Sequence, residues 1–345
     1  MQHQYIVRTT GEIINEQLIA DRFIRLLYHQ VREHAPSLFR ILTAKRMSGV
    51  LGSVMFDCSL PLKSRRGLPL LEKMGVNWQE CVDPPHLFTS PRHVFERKIR
   101  YWDCRPMDSD PRAVVSPADA RLLFGSLADS PELFIKNTFF SLPELLGEKT
   151  SWMTAFSGGD FALFRLTPDK YHYNHVPVTG DVVDIYSIDG CYHSCNPEAV
   201  IALASLHAKN RRIVTIIDTD VAGGTRIGLV AMIEVVALMI GDIVQQYSAI
   251  AYENPLPVVR KMRLQRGCPK SLYRPGSSTD ILLFQKNAVT FAEDLQRNLV
   301  RGDVQSRFSA GLGRPLVETD LEVRSTIAVP ADRMTTAGTL LFSVS

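Results

Sequence analysis

Gly276-Ser277-Ser278-Thr279 stands directly before the apolar run Ile281-Leu282-Leu283-Phe284 near the C-terminus. A serine hydroxyl held against the carbonyl of the residue before it can attack that carbonyl and exchange the peptide bond for an ester. Elimination of the ester cuts the chain and leaves dehydroalanine, which hydrolyses to a pyruvoyl group capping the new N-terminus. Such chemistry needs a positioned hydroxyl, a nearby base and local backbone strain. The same four residues also suit an ordinary loop entering a strand.

Bases are available elsewhere. His172 and His175 lie three apart in Asp169-Lys170-Tyr171-His172-Tyr173-Asn174-His175, where a turn can present both imidazoles to one cavity as acid or base near neutral pH. The alternative is that they pack or face solvent. Asp119, in Ser116-Pro117-Ala118-Asp119, is either a turn acid or the carboxylate that orients a histidine in a Ser-His-Asp relay. Cys191, His193 and Cys195 follow within twenty residues of the histidine pair, but a structural zinc site pairs two cysteine knuckles and no second pair is present, so no metal is assigned. Gly158-Gly159 and Gly223-Gly224 lack the helix start and lysine of a phosphate loop and read as hairpin turns.

These residues must be held by elements the pattern also reveals. From Glu12 to Lys45 apolar residues recur at three and four with arginines interleaved, which predicts amphipathic helix broken at Pro36. A short helical piece is expected around Leu70 to Val76. Beyond Val94 short β-type runs dominate: 112–116, 133–137, 161–166, 181–188, 212–218, 229–238 and 281–284, with helices at 142–146 and 197–207. The expected fold is α+β, with amphipathic N-terminal helices on a mainly antiparallel β core, barrel-like or sandwich-like. A helical region over 1–93, suited to a membrane surface, precedes a core over 94–345.

The 345 residues, 45% hydrophobic and 22% charged, suffice for a large core without staples. A net charge of +3 argues against a nucleic-acid partner. Ten basic and five acidic residues fall in positions 1–66, a surplus that an anionic membrane surface or plain solvent would accept. Scattered cysteines and the absence of a secretory pattern at Met1 to Tyr5 point to a reducing compartment. The apolar run 227–243 carries Glu234 and Asp242, so no transmembrane helix is expected.

In order along the chain, Arg105-Pro106, Ser-Pro-Ala-Asp at 116–119, Phe134-Ile135-Lys136, Ser141 to Gly147, Asp169 to Pro177, Tyr192 to Pro197, Asn210-Arg211-Arg212 and the Ser-Thr turn at 278 resemble the phosphatidylserine decarboxylase family of pyruvoyl-dependent, self-processing enzymes. The similarity is strong over roughly 95–330 and looser over 1–80. It implies autocatalytic cleavage into a large β chain and a small α chain that stay associated, and a covalent pyruvoyl cofactor derived from Ser278. Asp119 would orient His175, His175 would activate the serine, and His172 would serve in decarboxylation. The pyruvoyl carbonyl would form a Schiff base with the substrate amine and take up the electrons released with carbon dioxide.

The family usually has Gly-Ser-Thr, so keeping Thr279 to Phe284 in register puts Ser278 at the reacting position and Ser277 where glycine is expected. Ser277 is the runner-up for the processed serine. Val235-Val236-Ala237 departs from the usual Val-Gly-Ala, and Cys195 replaces a common valine. The implied activity is a carboxy-lyase converting phosphatidylserine in an anionic membrane surface to phosphatidylethanolamine, with the protein peripheral on the cytoplasmic side or cytosolic. The alternatives are a soluble pyruvoyl decarboxylase of a free amino acid and a non-processing scaffold relative. A homodimer is compatible with the sequence, which sets no oligomeric state.

Overall fold

The computed structural model describes residues 2–18, 21–44, 47, 66–128, 141–238, 242–276 and 278–331. The predicted strand at 133–137 and Ser277 lie outside these residues. Two short strands open the chain, β1 (Gln4–Val7) and β2 (Ile13–Asn15). After a helical stretch come β3 (Val114–Val115), β4 (Ala120–Ser126), β5 (Asp160–Leu166) and β6 (Tyr173–His175). Next are β7 (Gly180–Ile188), β8 (Arg212–Asp218), β9 (Leu229–Val236) and β10 (Ile243–Gln245). The C-terminal part adds β11 (Arg263–Leu264), β12 (Pro269–Tyr273), β13 (Ser278–Phe284), β14 (Val289–Phe291), β15 (Glu318–Leu321) and β16 (Thr326–Pro330).

Ten strands form one open sheet in the order β11-β7-β8-β9-β13-β5-β4-β15-β1-β2, and every pairing in it is antiparallel except that of β1 with β15. The sheet does not close, so the layered alternative holds rather than a barrel. Strand alternation assigns the two faces. Leu282 and Phe284 of β13 join Phe164, Met232 and Tyr273 in one core, under the small sheets β10-β12-β6 and β14-β16-β3. Ile281 and Leu283 join Leu163, Ile233 and Phe156 in a second core, against helices Leu142–Leu146, Thr150–Phe156 and Arg307–Leu312. Because both faces are covered, β13 reads as a continuous apolar run rather than an alternating one.

The N-terminal helices follow the expected period but start later than Glu12. Asp21–Arg25 continues through a π-helical stretch, Leu26–Val31, into Arg32–His34, and Pro36–Leu42 follows. Ala35 between them leaves the helical region, at φ −141° and ψ 64°, as a following proline disfavours helix at the residue before it. Ile24, Leu27, Tyr28 and Phe39 pack on Ala199, Leu206 and Leu238 of the core.

Residues 13–15 are strand, not helix, for a tertiary reason. Arg165 of β5 donates to Glu318 (2.9 and 2.6 Å) and to Glu16 (3.0 and 2.7 Å), Arg121 also pairs with Glu16, and His3 meets Glu318 at 2.7 Å. This buried ionic knot ties β1 and β2 onto the main sheet. The predicted helix at 197–207 is likewise broken, into Pro197–Ala202 and Leu206–Lys209 with Ser205 left-handed between them.

Replacing Arg165 by methionine removes the cation that two buried carboxylates share and leaves them only Arg121 and His3. Chemical denaturation of the full chain should register a loss of about 3–5 kcal/mol. A loss under about 1 kcal/mol would show that the knot adds little.

Candidate active site

Ser278 is the first residue of β13, and it lies opposite Leu166 of β5 on one side and Val236 of β9 on the other. Its side chain points to the face shared by Asp280, Leu282 and Phe284, under the β10-β12-β6 sheet. Ser278 is 1% exposed, and its Oγ has no hydrogen-bond partner among the described residues. A buried hydroxyl without a partner costs free energy, so it persists where function or an absent group uses it. The chain arrives from β12 through Pro275 and Gly276, and Gly276 adopts φ +150°, where L side chains are rarely found. The departure from the family pattern at Val236 thus falls directly beside the serine.

His172 precedes β6 and His175 is its last residue, and β12 pairs with this strand. His172 stacks on Phe95 with ring centroids 3.6 Å apart, and neither ring nitrogen makes a well-formed hydrogen bond. His175 is better tied. Its Nδ1 lies 2.8 Å from the Gly267 carbonyl, its Nε2 2.9 Å from the Tyr171 hydroxyl, and Tyr101 meets it edge-on. Both histidines are fully buried, and both are pushed down to about 3: His172 by burial and then the charge of Arg97, His175 chiefly by burial. Each is therefore a neutral imidazole at physiological pH, the form that can accept a proton.

Asp119 comes close to the pair but does not bond it. Arg105 clasps its two oxygens at 3.1 and 2.9 Å, and the Val323 N–H donates to Oδ1 at 2.8 Å. Burial would raise this carboxyl, but the Arg105 hydrogen bonds and charge prevail and hold it below its ordinary value. Its own charge acts on both imidazoles and favours their protonated forms. The expected direct Asp119–His175 contact is not made. Tyr171 and the Gly267 carbonyl occupy the imidazole instead, and no hydrogen bond joins Ser278 to either histidine.

A polar cluster that the sequence reading passed over lies on the serine's face. Glu234 of β9 sits directly opposite Asp280 of β13, and both are fully buried. Glu234 accepts from Lys270 (2.7 Å), Gln245 (2.8 Å), Asn174 (3.2 Å) and the Ser271 hydroxyl. Asp280 is pushed well above the usual carboxylate range, by burial first and by the Glu234 charge second. Tyr273 spans the layers, its hydroxyl 2.8 Å from Asp280 Oδ1 and 3.0 Å from the Thr279 carbonyl. The signal was present in the sequence as acids inside apolar runs, Glu234 and Asp280, but only the pairing register brings them together.

The Cys191–His193–Cys195 run does not converge. Cys191 is exposed and Cys195 buried, while His193 meets the Tyr28 hydroxyl at 3.3 Å and stacks on Phe39. Among the described residues, His3, Glu16 and Glu318 lie close enough together to share a cation, and Arg165 already neutralises that group.

A model of the family described as phosphatidylserine decarboxylase matches residues 92–309, well over half the chain. The chain belongs to the phosphatidylserine decarboxylase family. It is similar to the phosphatidylserine decarboxylase proenzyme of Fusobacterium nucleatum subsp. nucleatum, 28% identical over 309 residues that cover 89% of this chain and 95% of the relative. A proenzyme of the same description from Ruminiclostridium cellulolyticum is 29% identical over 84% of this chain and 89% of its own. Phosphatidylserine decarboxylase proenzyme 3 of Schizosaccharomyces pombe is 29% identical over 84% of this chain but only 28% of that much longer protein. Membership makes the chain a carboxy-lyase of this family, and the matched segment contains Asp119, both histidines and Ser278.

The neutral histidines give the fold a defined pH response. His172, His175 and His207 are pushed down to about 3 and His193 to about 4, against an ordinary value of 6.5, so between these limits the unfolded chain binds more protons than the folded one. Stability must therefore fall as the pH drops below 6.5, by up to about 1.4 kcal/mol per pH unit per histidine. Urea titrations at pH 7, 6 and 5 should show this slope, and His172→Gln should make it shallower.

Proposed function

We propose that this chain is a proenzyme that cuts itself between Ser277 and Ser278 and then decarboxylates phosphatidylserine to phosphatidylethanolamine. The observation that carries the reading is the buried, unpartnered Ser278 hydroxyl, placed just after the Gly276 turn and on the sheet face over which the small β10-β12-β6 sheet lies. In the cut, the hydroxyl proton passes to His175 as Oγ bonds to the preceding carbonyl carbon, and His175 returns it to the departing nitrogen as the peptide C–N bond breaks. Loss of the Cα proton then breaks the Cβ–Oγ bond, which leaves the large chain with a carboxylate and the small chain with dehydroalanine, hydrolysed to pyruvoyl and ammonia.

The residues present fit that group. Ser278 sits where a new N-terminus would stay anchored, because the seven residues of β13 pair with β5 on one side and β9 on the other. The pyruvoyl group supplies an electron sink for the departing carboxylate. His172, stacked on Phe95 and neutral, would handle the proton that replaces carbon dioxide on the substrate carbon. Asp119 acts on both histidines through its charge while fixing Arg105.

The topology supports association of the two chains after the cut. The small chain would carry β13, β15 and β16, and the sheet places β13 between β9 and β5, β15 between β4 and β1, and β16 beside β3. Separating it means breaking pairings on both sides of two strands.

The membrane contact we assign to the N-terminal helices. Phe23, Leu26, Leu38 and Ile41 are 43–55% exposed there, with Arg25 and Arg40 also exposed among them. An apolar surface ringed by arginine suits an anionic bilayer such as the cytoplasmic leaflet. No helix among the described residues is long and apolar enough to cross a membrane.

Intact mass tests the cut: the purified protein should separate under denaturing conditions into two chains split at Ser278, the smaller one starting with pyruvoyl, and Ser278→Ala should remain a single chain of 38.7 kDa. Cleavage that persists in Ser278→Ala moves the reaction to Ser277. Flotation with phosphatidylserine-containing vesicles tests the surface. Leu26→Glu with Ile41→Glu should lower binding tenfold or more, as expected when two apolar side chains worth roughly 1.5–3 kcal/mol each are lost from the interface. Equal flotation of the variant would put the contact elsewhere.

A further inference from the structure

His175 is the end of a chain of hydroxyls. Its Nε2 lies 2.9 Å from Tyr171 Oη, which lies 2.6 Å from Tyr252 Oη. Tyr252 Oη in turn faces both polar atoms of one peptide group, the Ile99 carbonyl at 2.9 Å and the Ile99 N–H at 3.3 Å. Tyr171 is fully buried and Tyr252 half-buried, and both rings pack in a cluster with Tyr101 and Tyr173.

The segment that delivers Tyr252 is built with care. Ala251, Tyr252 and Asn254 all have positive φ (40°, 71° and 44°), a costly conformation for residues with side chains. The loop is closed by reciprocal backbone bonds between Tyr247 and Leu256 and by Ser248 Oγ, which reaches the carbonyls of Ile250 and Glu253. Tyr101 Oη accepts the Ala251 N–H. Strain of this kind is kept where surrounding structure over-determines it, and here its product is the position of one hydroxyl.

Donor and acceptor bookkeeping along the chain is unambiguous. A carbonyl only accepts, so the Gly267 contact puts a hydrogen on Nδ1 and leaves Nε2 of the neutral ring as an acceptor. Tyr171 must then donate to Nε2, Tyr252 must donate to Tyr171, and Tyr252 Oη accepts from the Ile99 N–H. If Nε2 gains a proton, every bond reverses: Nε2–H donates to Tyr171, Tyr171 to Tyr252, and Tyr252 to the Ile99 carbonyl. The first state leaves the Ile99 carbonyl without the Tyr252 hydrogen and the second supplies it, and in neither does a heavy atom have to move.

We propose that Tyr171 and Tyr252 form a reversible hydrogen-bond relay, ending on the Ile99 peptide, that lets the buried His175 take up and release a proton in place. The proposal rests on the reading of His175 as the base of self-cleavage. It assigns to two tyrosines the orienting task that sequence alone gave to Asp119, which lends its charge but no hydrogen bond. Tyr252 is a positioning residue, acting through Tyr171. The remaining charged neighbours act at a distance: Arg324 and Arg105 disfavour a cationic ring, and Asp119 favours it. Without the relay the imidazolium would leave a hydroxyl proton buried without an acceptor.

The test follows cleavage of freshly translated full-length chain on denaturing gels for the wild type, Tyr252→Phe, Tyr171→Phe and the double variant. Phenylalanine keeps the ring packing and removes only the hydroxyl. Tyr252→Phe should slow cleavage about tenfold and Tyr171→Phe at least as much, the size expected for losing one hydrogen bond to a group that becomes charged. The double variant should be no slower than Tyr171→Phe, because Tyr252 has no route to His175 without Tyr171. In uncut Ser278→Ala protein with ¹⁵N-labelled histidine, Tyr252→Phe should also shift the Nε2 resonance of His175, which Tyr252 does not touch. Wild-type cleavage rates in Tyr252→Phe, or effects that multiply in the double variant, would overturn the relay and leave Tyr252 a loop anchor. A wild-type chain that never cuts would instead sink the role of His175 in self-cleavage, with the resonance shift still reporting on the hydrogen-bond chain.

Discussion

The two-sided pairing of β13 is the constraint on which the rest of the molecule depends. A strand bonded along its whole length to β5 and β9 can neither shift register nor expose its face without undoing the sheet. Ser278 is its first residue, so rigid backbone begins at the serine, while the Gly276 turn, in a backbone region open to glycine, lies just upstream. Ser278 thus stands where rigid, doubly paired strand meets a glycine turn, the setting in which the proposed cut would take place.

Burial between layers then dictates the electrostatics. With water excluded, each ionised group must find a partner, and most do: Arg105 with Asp119 and Glu80, Lys270 with Glu234, Arg165 with Glu16 and Glu318. His172, His175, His193 and His207 answer the same pressure by staying neutral. Among the described residues, the buried polar atoms left without a hydrogen-bond partner include the Ser278 hydroxyl and both His172 ring nitrogens, and also atoms of Thr167, His207 and Thr215. Other orphans at Thr279 and Asp280 lie on the same strand, and for these the structure offers no further account.

Strong local signals were read correctly from sequence. The strand at 212–218, the helix at 142–146 and the break at Pro36 rest on near-neighbour physics: apolar runs, helix period and the steric demand of proline. Residues 13–15 looked helical because Ile13, Ile14 and Leu18 fit that period, yet pairing with β1 and the ionic knot on Arg165 overrode it. Likewise Asp119 was assigned to His175 as a relay acid, whereas the fold gives it to Arg105, whose position fourteen residues earlier carries no local hint of the contact.

The sequence by itself determined the family and the α+β class and put forward a short list of candidate residues, because side-chain chemistry and the order of motifs survive without coordinates. Tertiary structure alone decided who meets whom. Glu234 faces Asp280 through strand register, Val236 flanks Ser278 across β9, and Tyr252 reaches Tyr171 from 81 positions away. Such contacts depend on how the sheet layers stack and on which loop closes over which ring. No window of neighbouring residues encodes that, since the energy that selects them comes from burial of the whole core at once.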